Sequence, residues 1–369
     1  MDILRRIFAE HFQKMLDAGV KFRETTIENI KKFLNCGILG YATFICEHCE
    51  KFHHINFRCK SRFCPTCGSR YNIERTDVMA HKIIDCPHRH CVFTIPDTLR
   101  YCFRRDWNLL DLLFSSVRDC IYNQFPKSQT PAFICVLHTF GRDLKWNPHI
   151  HVILAEGSAF GAKWVEKRYF DYESLRKSFQ TILLKKLFAA LGKEIKPLIG
   201  KIYKSAGNGF YVHAPKSKGK IRNLINYIGR YLGRPVIANS RIDSYDGQNV
   251  TFHYERHEDD SFVSETIPAG EFIKRLVIHI PPKYFNMIRF YGIYAQPLLR
   301  ANRIAKVLNH SRARLNFRDL LIKTLGVDPH KCAVCGKTLA FCWITNTPEN
   351  EIRLERSHDP PRRTVSPLA

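Results

Sequence analysis

The stretch KWNPHIHVILAEG, Lys145–Gly157, decides how this chain is read, because it places two imidazoles one residue apart at the head of an apolar run. Side chains in a strand repeat with period two, so His149 and His151 share one face while Ile150 and Val152 take the other. Two convergent neutral imidazoles begin a metal site; they are equally compatible with two surface residues on a half-buried strand. Upstream lies FICVLHTFGRDLKWN. A hairpin of residues 133–139 with 148–155 across the GRDLKWN loop puts His138 opposite His149, and directly opposed residues share a face. Three imidazoles would then converge with coordination positions left open, as a catalytic metal requires.

The whole chain sets the frame for that site. Its 369 residues are enough for two or three domains, and an apolar fraction of 45% is that of a globular protein. No apolar run approaches the roughly 18 residues of a membrane span. The N-terminal MDILRRIFAEHFQKM reads as an amphipathic helix and not a secretion signal. A soluble, cytoplasmic protein without a membrane partner is therefore expected. Lys and Arg number 58 against 34 Asp and Glu, for a net charge of +24. That excess favours a polyanion, with nucleic acid the commonest one inside cells; the alternative is a merely basic, solvated surface.

Periodicity along the chain mixes helices and strands without a regular alternation. Residues 1–35, 73–84, 107–125, 169–191 and 221–232 read as helices, 90–96 and 131–140 as strands, and 240–280 as alternating antiparallel strands. The last third reads as helical and basic, ending in a Pro/Arg-rich tail expected to be disordered. The expected class is α+β, with three parts: a helix plus zinc-ribbon domain over 1–85, a histidine-bearing domain over 86–280, and a helical C-terminal region over 281–369.

The 14 cysteines cluster in pairs two residues apart, in a long chain without a secretion signal, which points to metal and not disulfides. Cys46-x-x-Cys49 and Cys64-x-x-Cys67 predict a four-thiolate zinc ribbon. Cys36 and Cys59 lie in the same module, either as ligands of a second ion or, the reading preferred here, as small core residues. His53 and His54 read as exposed loop residues. Arg58, Lys60, Arg62 and Arg70, interleaved with Phe57 and Phe63, suit phosphate contact and groove insertion in DNA. Late in the chain, Cys332 and Cys335, with Cys342 or His330, offer a second zinc site.

RNLINYIGRYLGRP, residues 222–235, carries the remaining chemistry. On a helical wheel Tyr227 and Tyr231 lie one turn apart on one face, among Arg230 and Arg234. Both rings could simply border the core. With Arg222, Arg230, Arg234 and Arg241 to hold phosphates, an activated tyrosine hydroxyl is a candidate nucleophile. It would attack phosphorus in line, displace a 3′ hydroxyl and leave a 5′-phosphotyrosine. A Mg2+ or Mn2+ ion at the histidines would stabilise the charge on the phosphoryl oxygens.

Taken together and in this order, the cysteine ribbon, HTFGRDLKWNPHIHVIL, YIGRYLGRPVIANSRI, HIPPKYFNMIRFYG and CAVCG resemble the two-tyrosine HUH transposases of rolling-circle bacterial insertion sequences, from about Cys36 to Cys335. The resemblance implies His149 and His151 as metal ligands, Tyr227 and Tyr231 as paired nucleophiles, and Cys46, Cys49, Cys64 and Cys67 as zinc ligands of an N-terminal DNA-binding domain. It implies an antiparallel sheet with helices on one side, nicking of single-stranded DNA at element ends, and nucleoid-associated work in a bacterial cytoplasm. Replication initiators and relaxases share this chemistry, but the zinc ribbon and CAVCG favour the transposase, and there is no GxxxxGK[ST] helicase motif. A non-catalytic zinc-dependent DNA-binding regulator is the rival of a different class.

Overall fold

The computed structural model describes residues 2–84, 86–213, 236–256, 259–295 and 315–346. The chain opens with α1 (Ile3–Asp17), α2 (Glu24–Leu34), β1 (Gly40–Cys46), β2 (Lys51–Asn56) and α3 (Pro65–Lys82). Next come β3 (His88–Thr94), α4 (Asp97–Arg105), α5 (Leu109–Tyr122), β4 (Thr130–Phe140), β5 (Trp146–Phe160) and β6 (Lys163–Glu166). Then follow α6 (Tyr172–Leu191), α7 (Lys196–Ser205), β7 (Val212–His213), β8 (Ile242–Tyr245), β9 (Asn249–Glu255) and β10 (Phe262–Pro268). The last elements are α8 (Ala269–Val277), β11 (Ile288–Gly292), α9 (Phe317–Leu325) and β12 (Ala340–Asn346). Among the described residues all the strand pairings are antiparallel, so the molecule is α+β as its sequence predicts.

The chain forms two compact units, one from the described parts of 1–77, 233–280 and 314–369, the other from those of 78–232 and 281–313. This division differs from the three consecutive parts expected above. Residues 242–277, assigned from sequence to the histidine domain, lie in the first unit, and β11 of the expected C-terminal region lies in the second. Among the described residues of the last third, two strands stand where helix was expected: β11 and β12 each complete a sheet begun far upstream.

In the first unit the Asp2 carboxylate caps α1, accepting from the Arg5 amide at 2.8 Å. Leu4, Ile7, Phe8 and Phe12 form the buried stripe of α1. Phe8 meets Phe33 and Phe63 edge-on, with centroids 5.9 and 5.3 Å apart. Phe63 is thus a core anchor and not a groove-inserting ring. One sheet has the order β12-β1-β2, another β10-β9-β8. The predicted run of strands over 240–280 ends in α8, whose Phe272, Ile273 and Leu276 are buried, so its apolar spacing is helical.

In the second unit the sheet order is β11-β4-β5-β3-β7, with β6 also on β5. β5 is therefore interior, which explains its continuous apolar run: Val152, Ile153, Leu154 and Ala155 are all buried. The aromatic anchors Phe93 and Phe133 take one face, against Phe179 of α6 and Tyr122 of α5. On the other face Ile134, Val136, Ile153 and Ala155 pack against Met79, Ile83 and Tyr294. The histidines continue that second face toward the β4–β5 turn. Arg89, 1% exposed, is held by Glu156 at 2.8 Å, by the Tyr172 hydroxyl and by the Phe170 ring. Such a buried cation persists only when paired and hydrogen-bonded.

Candidate active site

His138 stands on β4 directly opposite His149 on β5, the register expected from the sequence, with a bulge between His138 and Phe140. His151 lies two residues further along β5, opposite Val136 on one side and Val92 on the other. One nitrogen of each of His138, His149 and His151 lies within 4.8 Å of the others. Ring centroids are 4.0 Å apart for His138 and His151, 5.0 Å for His149 and His151.

Their hydrogen bonds suit metal ligands. Nδ1 of His149 donates to the Asn147 carbonyl at 2.7 Å, which leaves Nε2 as the lone-pair nitrogen. Nδ1 of His151 is bonded at 2.8 Å to Nε2 of His90, whose ring stacks on it at 5.0 Å. Burial pushes the His149 pKa down to about 4, and the nearby Arg100 charge lowers it further while the Asn147 carbonyl opposes. Burial, then the neighbouring imidazoles, holds His138 and His151 well below the usual value. All three are neutral near pH 7, the state a metal needs. The residues present therefore fit a divalent ion with open positions.

Two further residues belong to this region and were not singled out from sequence. His90 lies diagonal to His151, since Val92 opposes His151; the period-two pattern of HCVFTIP was its signal. Arg100, on α4, is tied to β5 by its carbonyl, which accepts from the Trp146 indole at 3.1 Å. Its buried Nε has no hydrogen-bond partner among the described residues. No motif marked it, because its place depends on how α4 packs.

Tyr227, Tyr231, Arg222, Arg230 and Arg234 lie outside the described residues. Arg241 is described: its Nε donates to the His253 carbonyl at 2.9 Å, an anchor within the small sheet. Around α3, Arg62 and Arg75 both lie against the Tyr71 ring, at 5.3 and 5.1 Å. Lys60 is exposed, and Arg58 and Arg70 are half-buried.

The cysteines group differently from the expected ribbon. Cys64 and Cys67 meet Cys36 and Cys59, not Cys46 and Cys49, so Cys36 and Cys59 are not core fillers. Sulfur separations of 3.7 Å for Cys36–Cys67 and 3.6 Å for Cys59–Cys67 match the roughly 3.8 Å edge of a zinc tetrahedron with 2.3 Å bonds. Cys46 and Cys49 instead meet Cys332 and Cys335. Cys342 and His330 are in neither group; the Cys342 thiol points to the Ala340 carbonyl. His53 and His54 lie on β2, not in a loop, and His53 touches Cys332.

Fold and site together define a thiolate-rich zinc-binding unit joined in one chain to a histidine-bearing antiparallel sheet. The comparisons with known proteins agree. The family described as "Transposase zinc-binding domain" matches residues 7–95, and that described as "Putative transposase" matches 132–302. The "Transposase for insertion sequence element IS801" of Pseudomonas savastanoi pv. phaseolicola is 30% identical over 346 residues, 86% of this chain and 84% of that one. The "Putative transposase y4qJ" of Sinorhizobium fredii is 24% identical over 80% of this chain and 83% of that one. No solved structure matches. The chain belongs to the family of insertion-sequence transposases that includes the IS801 transposase. No described helix is long and apolar enough to cross a membrane.

Proposed function

We propose that this protein cuts and rejoins single-stranded DNA at the ends of a mobile element, through a covalent tyrosine–DNA link in a rolling-circle pathway. The observation that carries the reading is the convergence of His138, His149 and His151 inside the segment matched by the transposase family. A Mg2+ or Mn2+ ion held by those imidazoles would supply positive charge to the scissile phosphate.

The chain's own groups do the rest. Asn147 and His90 orient His149 and His151, so that neutral nitrogens face one point. Arg100 offers a guanidinium beside His149 for a non-bridging phosphate oxygen. On a helix, Tyr227 and Tyr231 are spaced to lie one turn apart. The phenolic oxygen of one attacks phosphorus, the bond from phosphorus to the 3′ oxygen breaks, and the phenolic proton ends on that 3′ hydroxyl. The new 5′-phosphotyrosine keeps the phosphodiester's bond energy, so another 3′ hydroxyl reverses the step without ATP. A second tyrosine lets one hold a 5′ end while the other cleaves elsewhere. The zinc-binding unit, with Arg62, Arg75 and Tyr71, suits contact with the DNA backbone.

The test is a cleavage assay on single-stranded oligonucleotides from the element ends, with Mg2+ or Mn2+, with EDTA, and with Tyr227→Phe, Tyr231→Phe and both together. A metal-dependent protein–DNA adduct lost in the double variant is the expected result. DNA binding without an adduct under any condition would overturn the reading in favour of a zinc-dependent DNA-binding regulator.

A further inference from the structure

We propose that this protein holds a second structural zinc ion, at Cys46, Cys49, Cys332 and Cys335, which clips a late segment of the chain onto the N-terminal sheet. The matched zinc-binding domain ends at residue 95 and so contains only two of these four thiols. It contains all four of the Cys36, Cys59, Cys64 and Cys67 group.

Three independent observations point to a metal. Sulfur separations are 3.4 Å for Cys46–Cys335, 3.6 Å for Cys49–Cys332 and 3.8 Å for Cys49–Cys335, and all four are free thiols. These are close to tetrahedron edges around zinc, and far from the roughly 2.05 Å of a disulfide. Second, the two pairs form matched knuckles. The residue after each pair donates its amide to the carbonyl of the first cysteine: Glu50 to Cys46 at 2.7 Å, Gly336 to Cys332 at 2.9 Å. Both of those residues have positive φ, 54° and 71°. The same tight turn thus aims two sulfurs at a common point from each side. Third, the Cys332 sulfur accepts a hydrogen bond from the Val334 amide at 3.4 Å, as an anionic metal-bound sulfur would, and a ring nitrogen of His53 lies 3.1 Å from it.

The backbone beside the site is built for this closure. β12 pairs with β1 from Gly40↔Asn346 to Ile45↔Ala340. Gly40 has φ +119°, and a Cβ there would lie 2.3 Å from the Thr345 carbonyl oxygen, so no other residue lets β12 approach so closely. The ion would cross-link positions 283 and 289 residues apart, a restriction of the unfolded chain that grows with loop length. It also means that the fourth thiolate is in place only once the chain has been made through Cys335, and the N-terminal sheet only once β12 has followed, through Asn346.

The test is elemental analysis of the purified full-length protein. Two zinc ions per chain are expected, falling to one in Cys332→Ser/Cys335→Ser, with Cys36→Ser/Cys64→Ser losing the other. Cys332→His keeps four donors and should keep both ions, which guards against a serine variant that does not fold. Replacement by Co2+ should give the visible bands of two tetrahedral thiolate sites in wild type and about half that intensity in Cys332→Ser/Cys335→Ser. One zinc in wild type, two retained in that serine variant, or iron in place of zinc would each overturn the proposal.

Discussion

His138 and His149 stand directly opposite each other on paired antiparallel strands, their ring centroids 5.3 Å apart. The pair is a property of strand register, because a slip of one residue would turn one imidazole to the far face. The site is thus only as well defined as the β4–β5 ladder that carries it.

If His138 completes the ion site, His138→Ala should remove metal-dependent cleavage while leaving DNA binding intact. His90→Ala, which removes the partner of the His151 ring, should weaken metal affinity by about 10- to 100-fold. Isothermal titration with Mn2+ separates the two; equal, negligible effects would reject the assignment.

Acid should destabilise the metal-free protein through these same imidazoles. Burial sets the His149 and His90 pKa values at about 4, below the 6.5 of the ordinary group. Folded pKa values below unfolded ones mean that the unfolded chain binds more protons as pH falls. Stability is then full above about pH 6.5 and is lost progressively toward pH 4, by on the order of 3 kcal/mol per imidazole. Urea midpoints of EDTA-treated protein across that window would check it; a flat profile would contradict it.

Arg100→Ala should slow single-turnover cleavage by about 100-fold with little change in oligonucleotide binding, as expected for loss of a cation that meets transition-state charge. Arg100→Lys should recover part of the rate. Loss of binding and rate together would instead make Arg100 a general anchor.

Removing the cations stacked on Tyr71 should act through counterions. The Arg62→Ala/Arg75→Ala variant is expected to bind all sequences more weakly, with the salt slope of log K reduced by about 1 per lost phosphate contact. Fluorescence anisotropy at several salt concentrations measures it, and an unchanged slope would exclude this face.

Gly292→Ala tests how β11 supports the histidine strand. Gly292 has φ +58° and pairs with Ala132 of β4; an added Cβ would sit 1.8 Å from the Pro131 carbonyl oxygen. The substitution should cost at least about 2 kcal/mol and lower Tm, from left-handed strain plus displacement of β11. A Tm within error of wild type would show that the edge yields freely.

Much of the core sheet was legible in advance. The β4–β5 hairpin, its register and the shared face of His138, His149 and His151 followed from period-two alternation and one loop. The helix over Tyr172–Leu191 was equally plain, with Asp171 capping it through the Ser174 amide. Less legible was everything made by distant segments. α8 was hidden because a short buried helix and a strand look alike in so brief an apolar run. β12 was hidden because a seven-residue strand in a basic tail has no signal until its partner, β1, is known. Phe63 looked like a DNA-facing ring because its sequence neighbours are basic, and only packing against Phe8 and Phe33 shows otherwise.

By itself the sequence determined what neighbours along the chain decide: which residues share a strand face, and which cysteine pairs can form a knuckle. These follow from local backbone geometry, repeated every two residues or closed within one turn. Only the tertiary structure decided which knuckle meets which. The pairs Cys46/Cys49, Cys64/Cys67 and Cys332/Cys335 are interchangeable as thiolate donors, so no spacing rule can choose among them. The path of the chain chooses, through β12 lying on β1 and through Cys36 and Cys59 meeting Cys64 and Cys67 at the start of α3. His90 and Arg100 joined the histidine site for the same reason: their roles exist only where strands and helices pack.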